Sequence, residues 1–392
     1  MAQFTITPPA AHDPNWRETM RKHLRRTPGA LLLMSSLAAA SLLVLMCGSA
    51  RAWAQWPSNS AHILISDQYN NRVIEVDPAT HKVVWSFGNG SDVAGPHSVV
   101  GVNDAERIGP FTLISGTGIP PSTPPVLPGC STPATGCADN RVFFVDERGM
   151  IFWQYGQAGV TGFGPNQLNT PVQALFTSTF MGHFGFYVLI ADQGNQRIIV
   201  VNAKRQIVWQ YGTTGVSGIG PNQLNSPNSG EILENGNILI ADEGNNRVIE
   251  VKPNGALVMT FTASNSLGAA AFASRLPNGD TLISDAGNNR IVEVDKTDNV
   301  VWQYVTNTGA NSNPNPQPTR GIRLRNGNTV ISDQYNNRVI EVTPAGKIVF
   351  QQGKTNVLGN GFNMLNGPYD AKQIGDFTGL TPPFDFDHDG DN

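Results

Sequence analysis

Apolar and polar positions along this chain fall into a pattern that recurs. Residues 65–76 read ISDQYNNRVIEV, and residues 331–342 read ISDQYNNRVIEV again. Between them lie IADQGNQRIIVV (190–201), IADEGNNRVIEV (240–251) and ISDAGNNRIVEV (283–294). A sixth copy is divergent and split: TLISG at 112–116, an inserted stretch, then DNRVFFVD at 139–146. Each copy is an apolar run, an acidic residue, a Gly/Asn turn, an Arg and a second apolar run. Runs that are apolar at both parities predict strands covered on both faces. The Gly and Asn between them predict hairpin turns that need positive φ. No sustained period of 3.6 appears beyond the N-terminus, so the fold class is all-β.

Counted from the acidic residue, the units start at Asp67, Gly116 (standing where an Asp is expected), Asp192, Asp242, Asp285 and Asp333. The steps are 49, 76, 50, 43 and 48 residues. The long step carries an insertion of about 22 residues at 117–138, in the second unit. A period of 40 to 50 residues with four strands per unit is the spacing of a β-propeller. The first unit begins at its Asp strand and lacks the strand before it. The last is followed by MLNGPYDAKQI (364–374), which matches QLNSPNSGEIL (223–233). Residues 55–377 are therefore expected to form a six-bladed β-propeller with four-stranded blades, closed by a C-terminal strand that completes the first blade. Closure removes an open edge that would template aggregation.

The first 54 residues stand apart. Arg17, Arg21, Lys22, Arg25 and Arg26 precede an uncharged, mostly apolar run at 30–46 and two Ala-x-Ala sites ending at Ala52 and Ala54. This is the pattern of a signal peptide or, if uncleaved, of a membrane anchor. Either places the remainder outside the cytoplasm: periplasmic, secreted or anchored facing outward. Any contact with a membrane is expected only through this segment. Without it, 20 basic and 28 acidic residues leave a net charge of −8, which excludes nucleic acid as a partner. Cys130 and Cys137 are the two cysteines that remain, seven apart in a Pro/Ser/Thr/Gly-rich loop, and in an oxidising compartment they are expected to pair.

The repeat resembles the NHL family. The resemblance rests on the apolar strand, small residue, Asp, GlyAsnAsnArg turn and Val/Ile strand, with LeuAsn-x-Pro leading into an inner strand. It covers roughly residues 60–374 and holds in five of the six units. The nearest type is the exported bacterial one, sometimes labelled quinoprotein-like for its WQYG-type strands. The resemblance implies a six-bladed ring with a central channel. It implies no single function, since members include binding platforms and an amidating lyase.

Several residue sets invite a functional reading, and most have a structural one. Asp67, Asp192, Asp242, Asp285 and Asp333 each have an Arg five residues on. They suggest pairs that brace a turn rather than cation sites. Glu75, Glu250, Glu293 and Glu341 suggest contacts to an Arg of a neighbouring blade. The pairs Trp85/Phe87, Trp153/Tyr155, Trp209/Tyr211 and Trp302/Tyr304 share a strand face at i, i+2 and suggest packing between blades rather than a sugar platform. The longer blade signature of pyrroloquinoline quinone enzymes is absent, and no cofactor is inferred. A lyase centre of three histidines would need His on several inner strands, and only His97 is expected on one.

The candidate ligand site comes from aligning the inner strands on their Pro. Pro96, Pro171, Pro227, Pro318 and Pro368 align, with Ala270 in the fifth blade. Two residues later stand Ser98, Gln173, Ser229, Phe272, Arg320 and Asp370. This set varies from blade to blade, as a grafted site should. Arg320, Asp370 and Ser98 fall on adjacent blades, with His97 beside them. They are expected either to bind a small anionic or polar ligand, with His97 as a proton-transfer group, or to line a water-filled channel in which Arg320 and Asp370 pair. At the C-terminus Asp385, Asp387, Asp389 and Asp391, with Gly390, copy the first seven positions of an EF-hand-type calcium loop. Calcium or a solvated acidic tail (378–392) accounts for them. Two functions fit these readings. One is an exported binding module for a protein, peptide or glycan; the other is an enzyme (lyase, hydrolase or group transfer) with its site at the channel mouth.

Overall fold

The computed structural model describes residues 62–122 and 129–376. The N-terminal segment expected to direct export and the acidic tail with Asp385, Asp387, Asp389 and Asp391 lie outside the described residues. Within them the chain forms six four-stranded antiparallel sheets in a ring, a six-bladed β-propeller. The inner strands of blades two to six are Val102–Ile108, Pro171–Phe180, Pro227–Ile232, Ala270–Arg275 and Pro318–Arg323. Blade one takes its inner strand, Pro368–Gln373, from the C-terminal end of the described chain. That strand pairs antiparallel with Ile63–Asp67, Ile65 opposite Ala371. The chain thus enters and leaves the fold on one face, at Ile63 and Gln373.

The other face carries the repeated turn. Each Asp ends a strand, a 3-10 turn follows, and a left-handed residue (Asn71, Gln196, Asn246, Asn289 or Asn337) precedes the Arg. The Arg Nε donates back to the Asp carboxylate at 2.8 Å in Asp67–Arg72 and Asp192–Arg197, and at 2.7 Å in Asp242–Arg247, Asp285–Arg290 and Asp333–Arg338. The Asn three residues after each Asp donates to the same oxygen. In four blades the other carboxylate oxygen accepts the backbone N–H ahead of the inner strand, from Asn366, Asn169, Asn225 or Gly268. One side chain thereby ties the second strand to the start of the first and to the turn. These carboxylates are structural.

Blade two keeps the device with its parts moved. Gly116 replaces the Asp, and a Cβ there would lie 2.6 Å from the Asp139 carboxyl. Asp139, on the far side of the insertion, puts its carboxylate into the vacated space. It pairs with Arg141 and accepts the Val100 N–H at 2.8 Å. The insertion begins as an extension of the hairpin, since Gly118 and Ile119 still pair with Ala138 and Cys137. Cys130 and Cys137 form a disulfide and pack with Tyr69, Val100 and Ile119. These two thiols are expected to resist alkylation in native protein until reduced. Two free thiols there would overturn the bridge. Replacing both with Ser should lower stability by no more than about 2 kcal/mol, because the closed loop is short.

Neighbouring blades are stitched at the rim. The indoles of Trp85, Trp153, Trp209 and Trp302 donate to the carbonyls of Glu147, Ala203, Pro253 and Pro344, each on the next blade. Arg107, Arg275 and Arg323 reach back to Glu75, Glu250 and Glu293 of the preceding blade. Arg107 and Arg323 also cover the rings of Trp85 and Trp302. Glu341 departs from the expected pattern, accepting from Asn326 and Asn328 of its own blade.

Candidate functional site

The inner strands bring six side chains to one level, and blade two differs from the sequence expectation. Its inner strand starts at Val102, opposite Gly116, and the residue facing Ser115 is Asp104. In the other blades that position holds Gln173, Ser229, Phe272, Arg320 and Asp370. His97 and Ser98 are therefore not on the inner strand. They lie on the loop before it, where Gly95 and Ser98 form an isolated bridge. His97 is exposed, and the Ser98 hydroxyl donates to the Val93 carbonyl at 2.6 Å. The chain needs the extra residues because Val99–Gly101 fill the space that LeuAsn-x-Pro fills elsewhere: Val100 N–H takes the Asp139 bond and Gly101 N–H takes Asn71 Oδ1.

A sequence signal for Asp104 did exist. Each of these positions is followed by a small residue: Ala105, Ala174, Gly230, Ala273, Gly321 and Ala371. That residue faces the preceding blade, where a Cβ on Gly230 would meet Leu189 at 3.0 Å and one on Gly321 would meet Ile291 at 2.7 Å. Ser98 is followed by Val99 and fails the test.

Most of this layer joins blades together. Asp370 accepts from Ala105 N–H, Asp104 from Ala174, Gln173 from Gly230 and Ser229 from Ala273. Each side chain thus bonds the backbone of the next inner strand. One step further along, Glu106 and Glu231 accept from Phe176 and Arg275 in the same way. Phe272 and Arg320 break the sequence of acceptors and instead stack on one another, the guanidinium 4.5 Å from the ring centre.

Arg320, Asp370, Asp104 and Lys372 form a closed charge cluster. Lys372 Nζ donates to Asp104 and Asp370 at 2.7 Å each and to the Ala105 carbonyl at 3.0 Å. Arg320 Nη2 lies 3.4 Å from Asp104, and its Nε lies 3.3 Å from Asp370. Arg320, Asp104 and Asp370 have no exposed surface and Lys372 has 3%, so this level is packed side chain rather than water-filled channel. Burial pushes the Asp370 carboxyl up, against the pull of Lys372. Burial also pushes Glu106 up to about 7 and Glu231 well above the ordinary carboxylate range. Lys372 is itself raised, since the desolvation that would lower it is outweighed by Asp104 and Asp370. Two positive and two negative side chains balance at this level, and burial disfavours the charged form of the nearby glutamates. Lys372, Asp104, Glu106 and Glu231 were all missed by reading one position per strand.

Above this level, on the turn face, a second set converges. Asn228 and Tyr369 start the inner strands of opposite blades, four and one, and bond across the axis at 2.8 Å. Around them lie residues that follow the turn Asp: Gln334 donates to Gln68 at 2.8 Å, Gln68 to Asn103 of the blade-two inner strand at 2.7 Å, and Gln193 to Glu243 at 3.2 Å. Among the described residues, no group of three or more His, Cys, Asp or Glu is placed to hold a metal ion.

The class that this architecture defines is the six-bladed β-propeller. Solved structures similar to the chain include a streptogramin B lyase (14% identity, covering 76% of this chain and 81% of that one, TM-score 0.48). A virginiamycin B lyase from Staphylococcus aureus is 11% identical over 75% and 81%, with a TM-score of 0.46. A Bacteroides caccae protein of unknown function is 16% identical over 74% and 93%, with a TM-score of 0.47. No protein-family model matches the chain, and no curated protein matches it.

Proposed function

We propose that this chain is an exported binding module of NHL type that holds a protein partner on the face bearing the Asp–Arg turns. The observation that carries the reading is an arc of exposed apolar side chains on that face. The loops entering blades one to four follow one another around the ring. They present Val357, Leu358 and Phe362, then Val93, then Val160 and Phe163, then Val216 and Ile219. Phe163 is 70% exposed, Ile219 66% and Phe362 71%. The loops are held in place from beneath: Asn195 and Asn245 donate to the carbonyls of Gly162 and Gly218, and Asn70 to that of Gly359. Loop backbones fixed in this way have lost freedom before any partner arrives, which favours binding, and large apolar side chains exposed together on one face mark an interaction surface. The described residues enter and leave the fold on the opposite face, at Ile63 and Gln373. The enzymatic alternative draws less support, because Arg320, Asp104, Asp370 and Lys372 are buried and His97 lies on the loop before the inner strand.

The test is a photo-crosslinking amino acid at position 163 or 219, with position 150 on the opposite face as control, in the exporting host. A discrete protein adduct is expected from 163 and 219 and not from 150. The triple change Phe163→Ser, Ile219→Ser, Phe362→Ser should weaken capture at least tenfold by hot-spot logic and leave the melting temperature in place. Equal labelling from both faces, or none, would refute the reading.

A further inference from the structure

The turn face bears a second feature, at the ring axis, that owes nothing to the apolar loops. Asn228 Nδ2 donates to Glu243 Oε2 and to Tyr369 Oη, both at 2.8 Å, and Gln193 Nε2 donates to the same Glu243 oxygen. Beside them the Tyr335 hydroxyl lies 3.4 Å from that of Tyr69. Asn228 and Tyr369 form the floor, at 1% and 9% exposure, while Gln193, Glu243 and Tyr335 are half-exposed above it. Blade five places Ala286 and Ala271 at the corresponding positions, so among the described residues the polar groups are interrupted on that side. The Oδ1 of Asn228, although buried, has no hydrogen-bond partner among the described residues. A buried amide oxygen without a donor is unfavourable.

We infer that this axial cluster is a binding site for a neutral sugar ring, at the mouth of the propeller. Amide, phenol and carboxyl groups side by side match hydroxyls, which donate and accept at once. Tyrosine rings provide the apolar faces against which the C–H side of a pyranose lies. Anions are poorly served, because Arg320 is sealed below the floor. Ammonium ligands are poorly served too, because Glu243 Oε2 already accepts from Asn228 and Gln193. The site needs neither the apolar arc nor its partner.

The inference is tested on the full chain by saturation-transfer NMR with the methyl glycosides of glucose, galactose, mannose and N-acetylglucosamine. Tetramethylammonium serves as the competing chemistry. Transfer to the ring protons of at least one glycoside is expected. Gln193→Ala and Glu243→Ala should each weaken it at least tenfold without shifting the melt. The Phe163→Ser, Ile219→Ser, Phe362→Ser protein should bind the same glycoside as before, which separates this site from the protein-binding face. A trisaccharide ending in that sugar and binding at least tenfold tighter identifies a glycan chain as the source; equal binding identifies the single ring. No transfer from any glycoside, transfer indifferent to both alanine changes, or tighter binding of tetramethylammonium would each overturn the inference.

Discussion

Ending the chain before Met364 is expected to abolish cooperative folding rather than to trim it. The truncation removes the inner strand Pro368–Gln373, leaves blade one with three strands and opens the ring between blades six and one. It also strips the contacts of Leu365, Tyr369 and Ala371, all buried, and the N–H of Asn366 that satisfies Asp67. Two large apolar side chains contribute about 2 kcal/mol each. The exposed ladder edge and the loss of Lys372 and Asp370 from around Arg320 add to that. The sum reaches the whole stability of an ordinary domain, about 5–15 kcal/mol. Thermal melting followed by circular dichroism is the measurement. The truncated chain should show no transition, or one far below that of the full chain, while removal of residues 385–392 alone should leave the melt unchanged. A truncated protein that melts with the full-length one would refute closure as the source of stability.

Lys372→Met is the point change with the largest expected cost. Methionine fills much the same volume, so the experiment removes the charge and its three bonds and little else. Asp104 and Asp370 then face each other with Arg320 as their only cation, at distances of 3.4 and 3.3 Å. Breaking a buried pair on one side costs about 3–5 kcal/mol, read as a shift of the urea midpoint at pH 8. The loss should shrink at pH 5. The Asp370 carboxyl is already raised by burial, and losing Lys372 raises it further. A carboxyl whose folded value lies above its unfolded value favours the fold most below the unfolded value, and loses that favour as pH climbs through the folded one. Adding Asp104→Asn to Lys372→Met should restore part of the stability by removing the surplus negative charge. A loss independent of pH, or below about 1 kcal/mol, would show that the cluster is not held by Lys372.

The two changes probe layers of the molecule that differ in how far the sequence exposes them. Strands, turns and ring closure were legible because each follows from neighbours in the chain. The Asp, the left-handed Asn and the Arg lie within six residues of one another, and their bonds are local. The match of 364–374 to 223–233 in sequence suffices to place the last strand. The reach of Trp across blades was legible in the four units that carry it, and that of Glu in three of four, since residues that recur from unit to unit serve a contact that recurs with them.

The axial groups were only partly legible. Aligning on Pro placed Gln173, Ser229, Phe272, Arg320 and Asp370 at one level, yet put Ser98 where Asp104 stands. Blade two had exchanged its Pro and its turn Asp for Val102 and Asp139, and the carboxylate returned from across an insertion. Local pattern reports what a residue's own hairpin requires. It does not report which side chains from six strands, as far apart as Asp104 and Lys372, meet at an axis that none of them defines alone. The sequence by itself determined the blade, the turn and the closing strand. The tertiary structure decided that Lys372 would bind two carboxylates, that burial would push the Glu106 and Glu231 carboxyls up, and that Asn228 would meet Tyr369 across the mouth. Those outcomes depend on burial and on distance through space, which the order of residues along the chain does not carry.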